Sequence, residues 1–145
     1  MSMFKLERSG SNPNQVRYKY RYCQLGGSGC TTRKVNNGFT IDGQGSVVYL
    51  DRQYVSCISN GFINDYWSTR NSGHDRYRYE YYCCETRRSL SCYDSSTSYT
   101  DEGNRTNFYL DRQTASCNSG YFLQSFRLKR NSANNRMRYD IRCCR

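Results

Sequence analysis

Two sets of hydrogen-bonding side chains recur in this chain at a fixed distance. Asp51, Arg52 and Gln53 stand with Arg70 and Asn71; sixty residues on come Asp111, Arg112 and Gln113 with Arg130 and Asn131. A carboxylate, a guanidinium and amides together supply paired donors and acceptors, which is the chemistry that brackets sugar hydroxyls. Tyr49, Trp67 and Tyr109 lie close by in sequence and could cover the face of a sugar ring. Duplicated sites suit a multivalent binder, because avidity needs two sites per particle. The same identities also fit a structural role, an Asp-Arg pair fixing a strand junction in every repeat.

A second group is cationic. Arg17, Lys19 and Arg21 alternate with tyrosines, as do Arg76 and Arg78, and Arg136, Arg138 and Arg142 occupy the same phase of a third segment. Eighteen of the 22 basic residues are arginine, and the formal charge is +10. Guanidinium is planar and bidentate, matched to sulfate, carboxylate or phosphate. The pattern reads either as a surface for sulfated or uronic-acid glycans or as a solvated strand face paired to Glu80 and Asp140. Stacking of tyrosines on nucleic acid is the weaker use of the same charge, and no nucleic-acid partner is expected.

Catalytic chemistry finds little to work with. The one histidine, His74, sits between Gly73 and Asp75 in a turn. The segment "DEG" (101–103) is a turn and not a calcium loop, and no glycine-rich phosphate motif carries a lysine. Nine cysteines include no Cys-x-x-Cys, which argues against zinc. No enzyme activity, metal or cofactor is therefore expected. About 6% cysteine points to an oxidising compartment, so the chain is expected to be secreted. No apolar run is long enough for a signal peptide or a membrane-spanning helix, so the first residue is expected at or near a mature terminus or a cloning boundary, and a protein that is not membrane-embedded is expected.

The elements that must position these groups are strands. "VVYLDRQYVSC" (47–57) recurs as "NFYLDRQTASC" (107–117), and each is followed 26 residues after its cysteine by the first of an adjacent pair, Cys83-Cys84 and Cys143-Cys144. "FKLERSGSNPNQVRYKYRYC" (4–23) is the back half of a third copy. The chain divides into a half repeat (1–24) and two full repeats (25–84 and 85–145) of about 60 residues, forming one domain. Val16, Tyr18, Tyr20 and Tyr22 share one face of a strand, as do Tyr77, Tyr79, Tyr81 and Cys83, and Met137, Tyr139, Ile141 and Cys143. Period-two alternation with aromatic and β-branched residues marks half-buried strands, with turns at "SGSNPN" (around Pro13), "NSG" and "NSANN". No helical periodicity appears, so the fold is all-β, stapled by disulfides around tyrosine-rich faces. A hydrophobic fraction of 36% and mean hydropathy of −0.97 leave the core thin, which makes the staples necessary.

The half repeat selects a cysteine pairing. Tyr22 stands where the first cysteine of each pair should be. If Cys83 and Cys143 bond upstream to Cys57 and Cys117, a cysteine at 22 would have no partner. The second of each pair then bonds forward, Cys84 to Cys92 and Cys23 to Cys30. Cys144 is left over, free to bridge a second copy into a homo-oligomer. Plain drift at Tyr22 is the alternative.

"LDRQYVSC…NGF…RYRYEYYCCE" and "LDRQTASC…SGY…RMRYDIRCCR" resemble the dermatopontin family of extracellular matrix proteins and invertebrate agglutinins. The chain resembles a divergent member, with Arg76-Tyr77-Arg78-Tyr79 and Arg136-Met137-Arg138-Tyr139 where the family carries Asp-Arg-Glu/Gln-Trp. A more distant likeness is to vitelline-membrane outer-layer proteins. The resemblance implies a non-catalytic extracellular protein that binds carbohydrate or glycosaminoglycan and matrix or cell-surface glycoproteins. In invertebrate relatives it implies a lectin-like agglutinin. A structural component of shell, cuticle or egg coat and a cationic defence protein remain as other readings.

Overall fold

The computed structural model describes residues 1–10, 15–22, 30–41, 47–103 and 107–145, without the side chains of 47–48 and 107–108. Pro13, most of its turn, and Cys23 lie outside the described residues. Twelve strands run in order: β1 (Met3–Arg8), β2 (Val16–Arg21), β3 (Thr31–Asn36), β4 (Thr40–Ile41), β5 (Tyr54–Ser56), β6 (Gly61–Arg70), β7 (Arg76–Glu85), β8 (Cys92–Ser96), β9 (Thr100–Asp101), β10 (Thr114–Ser116), β11 (Phe122–Arg130) and β12 (Arg136–Cys144). The only helical elements among these residues are two 3-10 turns, Val47–Arg52 and Asn107–Arg112. The all-β expectation holds.

The strands form three antiparallel sheets, each built on a hairpin. The first has the order β10-β1-β2; the second β5-β11-β12-β8, with β9 also on β12; the third β3-β7-β4, with β6 also on β7. The alternation seen in the sequence sets what each hairpin buries. Tyr77, Tyr79, Tyr81 and Cys83 face inward from β7, and Met137, Tyr139, Ile141 and Cys143 from β12. Phe4, Tyr66 and Phe126 occupy matching places in β1, β6 and β11, each opposite Tyr20, Tyr81 or Ile141 on its partner strand. Their rings meet at the centre with centroids 5.2, 4.5 and 4.8 Å apart. Each such aromatic contact contributes about 0.5–1.5 kcal/mol beyond the area it buries. Half repeat and full repeats are thus three equivalent hairpins around one aromatic core. The tyrosine layer is dry enough that burial raises the hydroxyl pKa of Tyr18, and raises those of Tyr66, Tyr79 and Tyr139 well above the usual value.

The hairpins are joined in a ring by exchanged strands. Val55 of β5, from the first full repeat, pairs with Phe126 in the second. Ala115 of β10, from the second full repeat, pairs with Phe4 in the half repeat. Both central residues are fully buried. Cys57 and Cys117 follow these strands directly and bond Cys83 and Cys143, so each exchanged strand is tied to the hairpin of its own repeat. At the third joint no described strand pairs with the outer edge of β6. Instead the Tyr20 hydroxyl donates to the Tyr66 carbonyl at 3.0 Å. Tyr22, in the place of Cys83 and Cys143, stands beside Asp65, whose carboxylate, after partial burial, raises the Tyr22 hydroxyl pKa.

The forward pairings are corrected. Cys84 bonds Cys30, and Cys144 bonds Cys92. Alternation does turn the second cysteine of each pair to the opposite face, but the nearest strand there is the upstream strand of its own sheet. Thr31 and Thr32, next to Cys30, pair with Glu85 and Cys84. Cys92 lies directly across the β8–β12 ladder from Cys144, with Cα atoms 4.1 Å apart. Cys84–Cys92 and Cys23–Cys30 are therefore ruled out, because Cys84, Cys92 and Cys30 are otherwise engaged. Cys144 is fully buried and bonded, so it offers no thiol for a bridge between chains. Four disulfides in one small domain fit an oxidising environment. Among the described residues no helix is long and apolar enough to cross a membrane.

Candidate functional site: a basic groove on the second-repeat sheet

The ten polar residues picked out by the repeat do not converge on one site. Gln53 and Gln113 are buried. The Gln53 amide donates to the Gly38 carbonyl and Thr40 Oγ1 at 3.1 and 2.9 Å, and its Oε1 accepts from the Tyr79 N–H at 3.4 Å. Gln113 reaches the Ser98 and Met137 carbonyls at 3.2 and 3.1 Å and accepts from the Thr97 hydroxyl. Each glutamine thus ties a loop to the strand behind it. Asn71 and Asn131 close the hairpin turns, each Oδ1 accepting the N–H of Arg76 or Arg136 at 3.0 Å. Those turns place His74 and Asn134 at positive φ, 55° and 53°, where the short turn requires it.

Arg130 is clamped by both oxygens of buried Glu102 at 2.7 and 2.9 Å, and that carboxylate raises its pKa. Asp111 holds Arg8 at 2.8 Å, and the Asp51 carbonyl accepts from Arg127 at 2.9 Å. Arg70 is exposed. Arg52 and Arg112 are exposed too, with their guanidinium groups 4.6 and 4.1 Å from the ring centroids of Tyr49 and Tyr109. Neither makes the Asp-Arg pair that a structural junction would need among the described ion pairs.

The cationic strand faces divide among the three sheets and do not merge into one surface. Arg17 and Lys19 of β2 flank Glu7 at 3.5 and 3.3 Å, and Arg21 donates to Ser2 and Ser116 hydroxyls. Arg76 and Arg136 are exposed at the hairpin ends. Arg78 and Arg138 lie deeper, ion-paired with Glu80 and Asp140 at 2.6 and 2.8 Å and resting on Phe39 and Tyr99.

The face of the second-repeat sheet opens into a groove of about 570 Å³. Arg127, Lys129, Arg138 and Arg142 line it against Asp94 and Asp140, leaving two positive charges in excess. The register explains the grouping, since Arg127 pairs with Asp140, Lys129 with Arg138, and Arg142 with both Ser125 and Asp94. Lys129 and Arg138 neutralise Asp140 at 2.8 Å each. Arg142 reaches both Asp94 oxygens at 3.0 Å on an exposed rim, where such a pair is screened and easily exchanged for another anion. Tyr54, about half exposed, leans over the floor with its hydroxyl 3.2 Å from Ser125 Oγ. Guanidinium forks, hydroxyls and an aromatic ring together can hold a carboxylate or sulfate on a sugar.

Of this group the sequence pattern marked Arg138 and Arg142 but passed over Arg127 and Lys129. Those two sit on β11, whose alternation is broken by a register shift between Leu123 and Ser125. Among the described residues no cluster of three or more His, Cys, Asp or Glu gathers for a metal. No family model, curated protein or solved structure matches the chain.

Proposed function

We propose that the chain is a non-enzymatic, lectin-like extracellular protein that binds acidic carbohydrate, in adhesion or agglutination, as a divergent relative of the dermatopontins. The observation that carries this reading is the groove on β11 and β12, where four cations face two carboxylates beside Tyr54. Its partners are glycosaminoglycans or matrix and cell-surface glycoproteins carrying sulfate or uronate. The groove occurs on one sheet, so agglutination needs either a second kind of site or a non-covalent oligomer. The test is retention on immobilised chondroitin sulfate with salt elution. Arg127→Ala with Arg142→Ala should weaken binding about tenfold or more and flatten its salt dependence. Unchanged retention by the folded double variant would remove the groove from consideration.

A second reading, a cross-linked structural component of the matrix, is favoured by the exposed tyrosines Tyr22, Tyr54 and Tyr99. Native material insoluble until its cross-links are broken would select it.

A further inference from the structure

The two full repeats share a backbone, so each is a template for what the other lacks. In the first, the Tyr81 phenol fills the space between the β3–β4 connection and β5. Its hydroxyl lies 3.2 Å from the Ser56 carbonyl, 3.5 Å from the Ser56 nitrogen and 3.5 Å from Asn37 Oδ1. The amide of Asn37 closes the remaining side by donating to the Tyr54 carbonyl at 3.0 Å. In the second repeat the residue sixty places on is Ile141, and those matching Asn37, Tyr54 and Ser56 are Thr97, Thr114 and Ser116. Ile141 carries no hydroxyl to meet Ser116 as Tyr81 meets Ser56. A cavity of about 370 Å³ lies there, bounded by Ile141, Ser116, Thr114 and Gln113.

The remaining lining is Ser95, Ser96, Thr97, Ser98, Thr100 and Arg112. Seven of the ten bounding residues carry an aliphatic hydroxyl, and the one ionised side chain, Arg112, is drawn onto the Tyr109 ring. A ligand here must be ring-sized, rich in hydroxyls and uncharged. The volume falls in the range of small-ligand sites, roughly 300–1,000 Å³. Thr97 and Thr100 already bond Gln113, and Ser116 bonds the Cys117 carbonyl and Arg21, which leaves the exposed Ser95, Ser96, Ser98 and Thr114 as the hydroxyls that a polyhydroxylated ring, but not a phenol, could use.

We propose that this cavity between β8 and β10 binds a single neutral sugar ring. It rests on the carbohydrate reading above and adds a second subsite of different chemistry that adjoins the acidic-glycan groove and shares Ser95, Ser96 and Ile141 with it. Arg112, picked out by the repeat, becomes a rim residue that donates to a ring hydroxyl while its own ring partner holds it in place.

The test uses saturation-transfer NMR on the whole chain with glucose, galactose, mannose and N-acetylglucosamine, one at a time. Transfer to at least one of them is expected. Ile141→Tyr and Thr114→Tyr each rebuild a piece of the first repeat inside the second and should abolish it. Thr114 is exposed, so its variant keeps the test alive if Ile141→Tyr fails to fold. Absence of transfer to all four sugars, or transfer retained in either folded variant, overturns the proposal. Chondroitin sulfate retention is measured on the same samples. Neutral-sugar transfer with no chondroitin retention would sink the groove and leave this pocket standing; the reverse outcome would sink the pocket alone.

Discussion

The outer faces of the third and second sheets begin from one backbone plan and end as different surfaces. On the first full repeat, Trp67 and Tyr82 pack with ring centroids 5.5 Å apart, and Lys34 lies 5.3 Å above the indole. Lys34 and Arg78 close on Glu80 at 2.7 and 2.6 Å. Sixty residues on, Arg127 replaces Trp67, Arg142 replaces Tyr82 and Asp94 replaces Lys34. The first face spends its cations on its own carboxylate and its own rings. The second keeps cations in excess of carboxylates and has no aromatic plug between them. A duplicated scaffold therefore carries one face closed by aromatic packing and one open to solvent. What differs is side-chain volume and charge at these three pairs of positions and at two more, where Lys129 replaces Thr69 and Ser125 replaces Asp65.

The comparison assumes that the scaffold beneath both faces is the same, and this carries the largest expected effect. Gln53→Ala and Gln113→Ala should each cost about 2–4 kcal/mol, because each leaves several buried backbone and hydroxyl groups without partners and opens a cavity. Urea unfolding monitored by Trp67 fluorescence measures both. If Gln113→Ala kept full stability and lost glycan binding, the residue would belong to a site and the shared-scaffold premise would break.

Exchanging the faces sharpens the comparison. Arg127→Trp with Arg142→Tyr should lower chondroitin sulfate affinity about tenfold, near 1.4 kcal/mol, with stability little changed. The reciprocal Trp67→Arg with Tyr82→Arg should raise it. Equal affinity in the exchanged and parent proteins would show that the difference between the faces has no bearing on binding.

The smallest effect is a pH dependence confined to the closed face. Hydrogen bonds from Lys34 and then Arg78 lower the Glu80 pKa below its ordinary 4.5. A carboxyl depressed in the folded state contributes stability that is present above the unfolded value and lost as pH falls through the folded one. The parent should lose stability more steeply than Glu80→Gln as a thermal melt is repeated from about pH 5 down to about pH 3. Parallel curves would mean that the Lys34–Glu80–Arg78 cluster contributes nothing measurable.

What could be read from the sequence was local. Alternation fixed the inward faces of β7 and β12, and the half repeat, with Tyr22 in place of the first cysteine of the pair, identified Cys57–Cys83 and Cys117–Cys143. The pairings of Cys84 and Cys144 escaped because their partners lie on strands at sequence separations of 54 and 52, brought alongside by a sheet order that the repeat alone does not state. Strand exchange escaped for a related reason. Nothing in "YVS" or "TAS" says that each leaves its own repeat to pair with the next hairpin. The groove was half legible. Arg138 and Arg142 follow strand alternation, whereas Arg127 and Lys129 follow an irregularity that shifts their phase. Gln53 and Gln113 looked like ligand contacts because an amide that brackets a sugar and one that brackets a loop are the same residue; only burial separates the two uses.

The pairing of β10 with β1 also sets a timetable. Phe4 and Ala115 are neighbours in one sheet but 111 residues apart along the chain, from 115 less 4. At a synthesis rate of about 5–20 residues per second, the first strand waits on the order of 6–22 s before its partner exists. For that interval the first hairpin, with Phe4, Tyr18 and Tyr20, holds an aromatic face and an unpaired edge that the finished molecule covers. Such long-range closure is slow even once the chain is complete. The early-made hairpin is therefore the segment most exposed to association with neighbouring chains before folding ends.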